Sequence, residues 1–305
     1  MRNPRMIALL LVLSAFAAPG EEVRVSAAPA PALTPYSLPW QLRSTAAVTA
    51  LRTDSNFVVR ATDSGEAVTE VSMLSFSYRI SKDVPVAPFV RLGVSHNDVG
   101  GRGGTAFLNP VLGAGWALDL LPGLRANFFL ALALPLGMGG GNAPDPQTSA
   151  AVTAGVLARS AMDNAMFAVN DLTVFPGVGL SYSRWGFTAQ AEATLLQLTR
   201  VRGEAVAPDA SRTNFTTGVH LGYFPWSWFS LGAEMRYQRY LSTPVAVAKN
   251  ASVRDNLTFA IGPRFHIKGD GFWLRPGVSI TVPLDDPMVK QRMVLVQLDV
   301  PLIFF

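Results

Sequence analysis

From about residue 45 to the C-terminus, apolar and polar positions alternate with a period of two. In Val86–His96 the set Val90, Leu92 and Val94 alternates with Phe89, Arg91, Gly93 and Ser95. In Ala106–Leu120 the apolar set is Leu108, Leu112, Ala114, Trp116 and Leu118, with Gly113, Gly115 and Asp119 on the other phase. Such runs predict strands with one apolar face. Twelve are predicted, near 45–53, 67–80, 86–96, 106–120, 124–136, 172–184, 187–202, 213–224, 229–242, 254–268, 272–283 and 291–305. Most are longer than the strands of globular proteins, which average about 5–6 residues. They suit a tilted membrane strand of about 9–11 or more.

The connections alternate as well. Ser81–Pro85, Leu121–Gly123, Trp185-Gly186, Pro225–Trp228 and Asp270-Gly271 are short, whereas 54–66, 97–105, 137–171, 203–212, 243–253 and 284–290 are predicted as longer or polar loops. Short turns at one end and long loops at the other is the pattern of an outer-membrane barrel. With an even strand number both termini fall on the short-turn side. Asp270-Gly271 suits a type I′ hairpin turn, which pairs Lys268 with Trp273 and His266 with Arg275. The loop 137–171 holds a helical patch near Gln147–Met166, either covering the mouth from outside or folded into the lumen as a constriction.

Composition then decides which face is wet. Charged residues are 15% of the 305, against about 25% in soluble domains. Only four are Lys: Lys82, Lys249, Lys268 and Lys290. Gly93, Gly113, Gly115, Gly177, Gly179, Gly218, Gly222, Gly232, Gly262 and Gly277 all share the phase opposite the aliphatic one. A water-facing exterior is not lined with glycine, but a crowded lumen is. The aliphatic face is therefore assigned to lipid, where a midplane Arg or Lys costs about 2–4 kcal/mol. Trp and Tyr collect at the short-turn end, at Tyr182, Trp185, Tyr223, Trp226, Trp228 and Trp273, as at a membrane interface. A soluble periplasmic β-protein is the competing reading.

Residues 1–17 read as a secretory signal peptide, with Arg2 and Arg5 before a short apolar core and Ala15-Phe16-Ala17 at the cut. Residues 18–41 are predicted as an Ala/Pro-rich periplasmic lead-in, and 42–305 as the barrel. The absence of Cys excludes disulfides, thiolate metal sites and a Cys nucleophile.

The inward phase carries Arg91, Arg125, Glu192, His220, Glu234, Arg236, Arg264, His266, Arg275 and Asp299. These candidate lumen-lining residues form either a structural Arg–carboxylate network or a solute-selecting constriction. No catalytic residue, metal site or cofactor is assigned. His96, flanked by Ser95 and Asp98, is the one rim position where a hydrolase could place a base. Gly100–Gly104 lacks the strand–helix unit of a phosphate cradle. The pI near 9.6 comes without a basic run interleaved with aromatics, so nucleic acid is not expected. Arg102, Arg212, Lys249, Arg254, Lys290 and Arg292 lie at loop ends, where ordinary solvation or lipopolysaccharide phosphates would meet them.

With the signal peptide, the alternating runs, the turn asymmetry and the ending Leu298–Phe305, residues 45–305 resemble Gram-negative outer-membrane β-barrel proteins. The resemblance implies an all-β, transmembrane, antiparallel up-and-down barrel of about twelve strands in the outer membrane. It also implies insertion by the outer-membrane assembly machinery. The ending departs in one respect: Val294, Val296, Leu298, Val300, Leu302 and Phe304 alternate one residue out of phase with Phe305. Either Phe304 takes the outward place or a bulge shifts the phase. Leu130–Gly137 is similar to strand ends of channel-type transporters for hydrophobic or aromatic compounds. The expected function is a narrow or gated channel for small solutes. A structural barrel with a closed lumen and an outer-membrane hydrolase are the alternatives. Carbonate extraction of membranes is expected to leave the chain in the pellet, and release into the supernatant would favour the soluble reading.

Overall fold

The computed structural model describes residues 36–62, 65–81 and 83–305. The predicted signal peptide and residues 18–35 lie outside the described residues. The rest forms a closed antiparallel barrel of twelve strands. Its strands are β1 (Thr49–Thr62), β2 (Gly65–Ser77), β3 (Val86–Val99), β4 (Arg102–Phe107 continued by Val111–Leu121) and β5 (Leu124–Ala133). Helix α1 (Pro146–Ala158) and the short α2 (Asn164–Phe167) precede β6 (Asp171–Arg184). Then follow β7 (Phe187–Arg200), β8 (Ser211–Trp226) and β9 (Phe229–Tyr240). β10 is Asp255–Phe265 with Ile267–Lys268, β11 is Phe272–Leu274 with Gly277–Pro283, and β12 is Val294–Phe304. Each strand pairs with its sequence neighbour, and β1 closes on β12 from Thr49↔Phe304 to Val59↔Val294. Closure leaves no sheet edge, so the wall satisfies its own backbone without water.

Two predicted outer loops are largely strand. β1 runs on to Thr62, and β3 and β4 meet at a tight turn in which Gly100 and Gly101 have positive φ. Polar residues at 54, 56 and 97 suggested loop, but Asp54, Asn56 and Asn97 all point inward and are buried. The five short turns fall where predicted. Lys268 does pair with Trp273, yet the turn is not type I′, because of its central residues only Gly271 has positive φ. That geometry occurs instead at Trp185-Gly186, with φ of 52° and 81° between the partners Arg184 and Phe187.

The facing is as predicted. Leu92, Leu112, Val178, Leu180, Leu221 and Ile280 stand exposed outside. Trp226 and Trp228 stack at the short-turn end, 5.6 Å apart, and Phe187 stacks on Tyr223. Phe304 takes the outward place at the last strand's end, so no bulge is needed. Leu108 is a correction. It lies where β4 breaks at 108–110 and points inward, packed with Met73 and Met166. Val219 faces outward near the middle of β8. Val219→Arg is expected to cost about 2–4 kcal/mol in a urea titration of the barrel in lipid vesicles. An unchanged midpoint would remove Val219 from the lipid face.

Candidate functional site

The lumen is filled from both ends. The first occupant is the segment Tyr36–Thr45, whose residues up to 41 were expected as a periplasmic lead-in, with entry into the lumen left open. Ser37, Leu38, Trp40, Gln41, Leu42 and Thr45 are all buried within it. The segment belongs to no sheet, so its N–H and C=O groups must find partners among side chains. The backbone N–H groups of Trp40 and Gln41 donate to the Glu234 carboxylate at 2.7 and 3.0 Å. Arg43 donates to Glu192 through its backbone at 2.7 Å and through its guanidinium at 2.6 Å. Ser37 N–H donates to Thr188. The carbonyls are met by cations and amides. Arg52 donates to those of Pro39 and Trp40, Gln297 to Trp40, Gln190 to Arg43 and Arg275 to Tyr36. Arg264 lies 4.4 Å from the Trp40 ring centroid while its guanidinium pairs with Asp299 at 2.5 Å. Arg52 shares that Asp299 at 2.7 Å.

The inward glycines acquire a specific use here. A Cβ on Gly222 would sit 2.1 Å from Ser37 Cβ, on Gly218 2.7 Å from Leu42, and on Gly277 2.9 Å from Trp40. The wall of β8 and β11 is pared back where the segment lies against it.

The second occupant is the loop between β5 and β6. Its helix folds inward, which decides between the two readings left open by the sequence. Asp145 caps α1 by accepting from the Thr148 N–H at 2.8 Å, and that bond holds its carboxyl below the usual carboxylate range. The small residues Ala151, Ala154, Gly155 and Ala158 are buried, and Ser95 of β3 donates to the Ala151 carbonyl at 2.7 Å. A Cβ on Gly155 would meet the Ser95 hydroxyl at 2.5 Å. Beyond the helix the chain reverses through Ser160 and Ala161, both at positive φ. The fully buried Arg159 there pairs with Asp54 of β1 and with Asp163 at 2.8 Å, and Asp163 also takes Arg91 at 2.5 Å. Met166, Phe167 and Val169 pack with Phe129, Phe175, Leu196 and Leu198 of the wall.

The two occupants touch. Arg236 pairs with Glu234, which holds the first, and donates to Ser160 of the second at 3.2 Å. Gln41 lies beside it. With its amide turned, its nitrogen reaches the Arg159 carbonyl at 3.0 Å and its oxygen accepts from Arg236 at 3.2 Å.

Of the candidate lumen residues, Glu192, Glu234, Arg264 and Arg275 contact the first occupant directly. His220 bonds Ser37 at 3.1 Å, and Asp299 positions Arg52. Arg236 bridges the occupants and Arg91 holds the second. His266 accepts from Arg275 and pairs with Ser230, both at 2.8 Å, without reaching either occupant by a hydrogen bond. Arg125 stands apart at the short-turn rim on Asp119. Arg43, Arg52, Asp54, Arg159 and Asp163 were not picked out from the sequence. Alternation continued through Asp54 and Asn56 was the available signal for β1, and the i,i+4 spacing of Arg159 and Asp163 for the loop. Nothing in the pattern marks Arg43.

Ser95 and His96 lie on opposite sides of the wall. Ser95 is buried against α1, and His96 is exposed and bonded to Thr105. At the loop ends Arg212 joins Arg200 on Asp171, Arg254 donates to the carbonyls of Tyr240 and Ser242, and Lys290 pairs with Asp286. Among the described residues no group of three His, Asp or Glu is placed to hold a metal ion.

No family model matches the chain, and no curated protein does. Solved structures do. An outer membrane channel from Pseudomonas putida F1 aligns over 88% of this chain and 97% of its own at 11% identity, with a TM-score of 0.56. The NanC porin aligns over 84% and 99% at 8% identity, with a TM-score of 0.50. The fold is that of outer-membrane β-barrel channels. At such identity the likeness concerns the fold alone.

Glu234→Gln would weaken the grip on Trp40 and Gln41 and leave Arg236 without its buried partner, at a cost of about 3–5 kcal/mol. The expected result is a lower denaturation midpoint and new tryptic cleavage after Arg43 in the folded barrel. Retained protection at Arg43 would mean that the segment is held by other contacts.

Proposed function

We propose that the protein is a narrow outer-membrane channel for small solutes, closed at rest by its two lumen occupants and opened when at least one is displaced. The observation that carries this reading is the way the first occupant is held. A complete barrel wall exists without Tyr36–Thr45, and the segment docks through side-chain bonds to its backbone, each of which water can replace. Net contributions of such bonds are about 0.5–1.5 kcal/mol, or 1.5–3 where a charge takes part. Removal is therefore costly in sum but proceeds bond by bond. A twelve-stranded barrel is also narrower than the 16–18-stranded porins, so little chain is needed to shut it.

The structural alternative is a barrel sealed for good, with the same ion pairs acting only as filler. The hydrolase alternative loses support because Ser95 and His96 face opposite ways, and the reading assigns no catalytic residue. The apolar exterior and aromatic belt support residence in the outer membrane, with lipid and lipopolysaccharide as neighbours. The outward Phe304 at the end of the last strand fits recognition by the assembly machinery. No part of the reading involves nucleic acid or a cofactor.

Planar-bilayer recording separates the two main readings. The full chain is expected to give small or rare openings. Replacing residues 139–168 by a short linker, or deleting Ser37–Arg43, is expected to raise the conductance severalfold. Large, stable, unselective openings of the full chain would contradict the narrow lumen. No current from either deletion would identify a structural barrel.

A further inference from the structure

The interior is unequal around its circumference. The side formed by β7–β12 grips the first occupant through Glu192, His220, Glu234, Arg264, Arg275 and Gln297. On the other side, between that segment and the wall of β1–β5 with the end of β12, a cavity of about 170 Å³ remains. A water needs about 10–15 Å³ on this measure, so the space suits a solute of about ten non-hydrogen atoms. Most of its lining surface is apolar, with Leu42, Ala87, Phe89, Phe129 and Ile303 prominent, and Gln41, Ser44, Ser75, Ser77 and Asn127 add uncharged polar groups. Three arginines, Arg43, Arg52 and Arg91, border it, and no carboxylate does.

The acids that pair with these arginines approach from other directions. Glu192, Asp299 and Asp163 are nearly or fully buried, and none borders the cavity. The arginines themselves keep 25%, 19% and 15% of their side-chain surface accessible, whereas Arg159, Arg236 and Arg264 keep at most 1%. The cavity therefore meets the accessible sides of three fixed cations over an apolar bed. Low-dielectric walls concentrate such a field, and a guanidinium matches a carboxylate with two parallel N–H donors. Arg43 is further fixed by the Phe129 ring at 4.2 Å and Phe175 at 5.5 Å. A separate space of about 20 Å³ shares Arg43, Phe89 and Arg91 with it and is also lined by Met162, Asp163 and Met166 of the second occupant. Arg43, Phe89 and Arg91 thus stand between the large cavity and the loop that closes the lumen.

We propose that this cavity binds a small amphipathic carboxylate, its acid group on Arg43 and Arg91 and its apolar body against Phe89, Phe129 and Leu42. The proposal rests on the channel reading and names the solute class that the channel would pass. A carboxylate seated there competes with Asp163 for Arg91 and with Glu192 for Arg43. Each competition loosens one occupant, so the solute itself favours opening.

The test is calorimetric titration of the full chain in lipid nanodiscs with three probes of equal carbon chain: 4-phenylbutyrate, 4-phenylbutan-1-ol and 4-phenylbutylammonium. The acid is expected to bind at one site per chain, about tenfold or more tighter than the ammonium, as for one charge-assisted contact. Arg91→Gln leaves Asp163 paired with Arg159, so the fold is expected to survive. It should weaken the acid about tenfold and leave the alcohol within about twofold. Ala87→Trp fills the cavity and should abolish binding of acid and alcohol alike. Heat-modifiable migration checks that each variant is folded. Equal affinity for the three probes, or acid binding untouched by both substitutions, would overturn the proposal. A deletion that conducts, alongside a full chain that binds no acid, would refute the solute class and leave the channel standing. Acid binding with both deletions silent would do the reverse.

Discussion

A buried charge must be paired, and inside this barrel the pairs determine where everything else goes. Removing one partner of a buried pair costs several kcal/mol, so the inward arginines seek acids, and Arg275 uses the His266 ring and the Tyr36 carbonyl instead. Asp54 draws Arg159 of the loop against β1, Asp163 draws Arg91, and Asp299 gathers Arg52 and Arg264. Glu234 gathers Arg236 together with two backbone N–H groups. The loop's descent and the course of Tyr36–Thr45 both follow from these few carboxylates. The wall needs none of them, because its hydrogen bonds close on themselves.

The wall was largely legible in the sequence, and the contents were not. Alternation and phase-locked glycines are local properties, repeated in every strand, so strand count, facing and turn positions could be read directly. The errors fell where one polar residue serves two descriptions. Asp54 and Asn56 read as loop, although an inward polar residue in a membrane barrel is as much strand as an inward glycine. Leu108 read as lipid-facing because the break at 108–110 leaves no mark in an apolar–polar count. The inward phase of Glu192, Glu234 and Arg264 was visible, but their partners lie more than a hundred residues away in an Ala/Pro-rich stretch without periodicity. Trp40 there is a single aromatic whose meaning depends wholly on Gly277 and Arg264 opposite it.

The glycines join the two levels of description. Read along a strand, they indicate only which side is crowded. Read across the barrel, Gly218, Gly222 and Gly277 line the path of one segment, and Gly155 lets a helix lie against β3. Packing on one side therefore accounts for the space left on the other. The segment is pressed towards β7–β12, and the interior next to β1–β5 keeps the remaining volume.

Arg52 sits on the first strand and Asp299 on the last, and they meet across the seam where the sheet closes on itself. The same Arg52 holds the carbonyls of Pro39 and Trp40. This part of the grip on the segment does not exist in an open sheet, since its two halves arrive on strands at opposite ends of the chain. Docking of Trp40 thus draws on the closure between the first and last strands. One guanidinium thereby makes the seating of Trp40 a property of a cylinder and not of a ribbon.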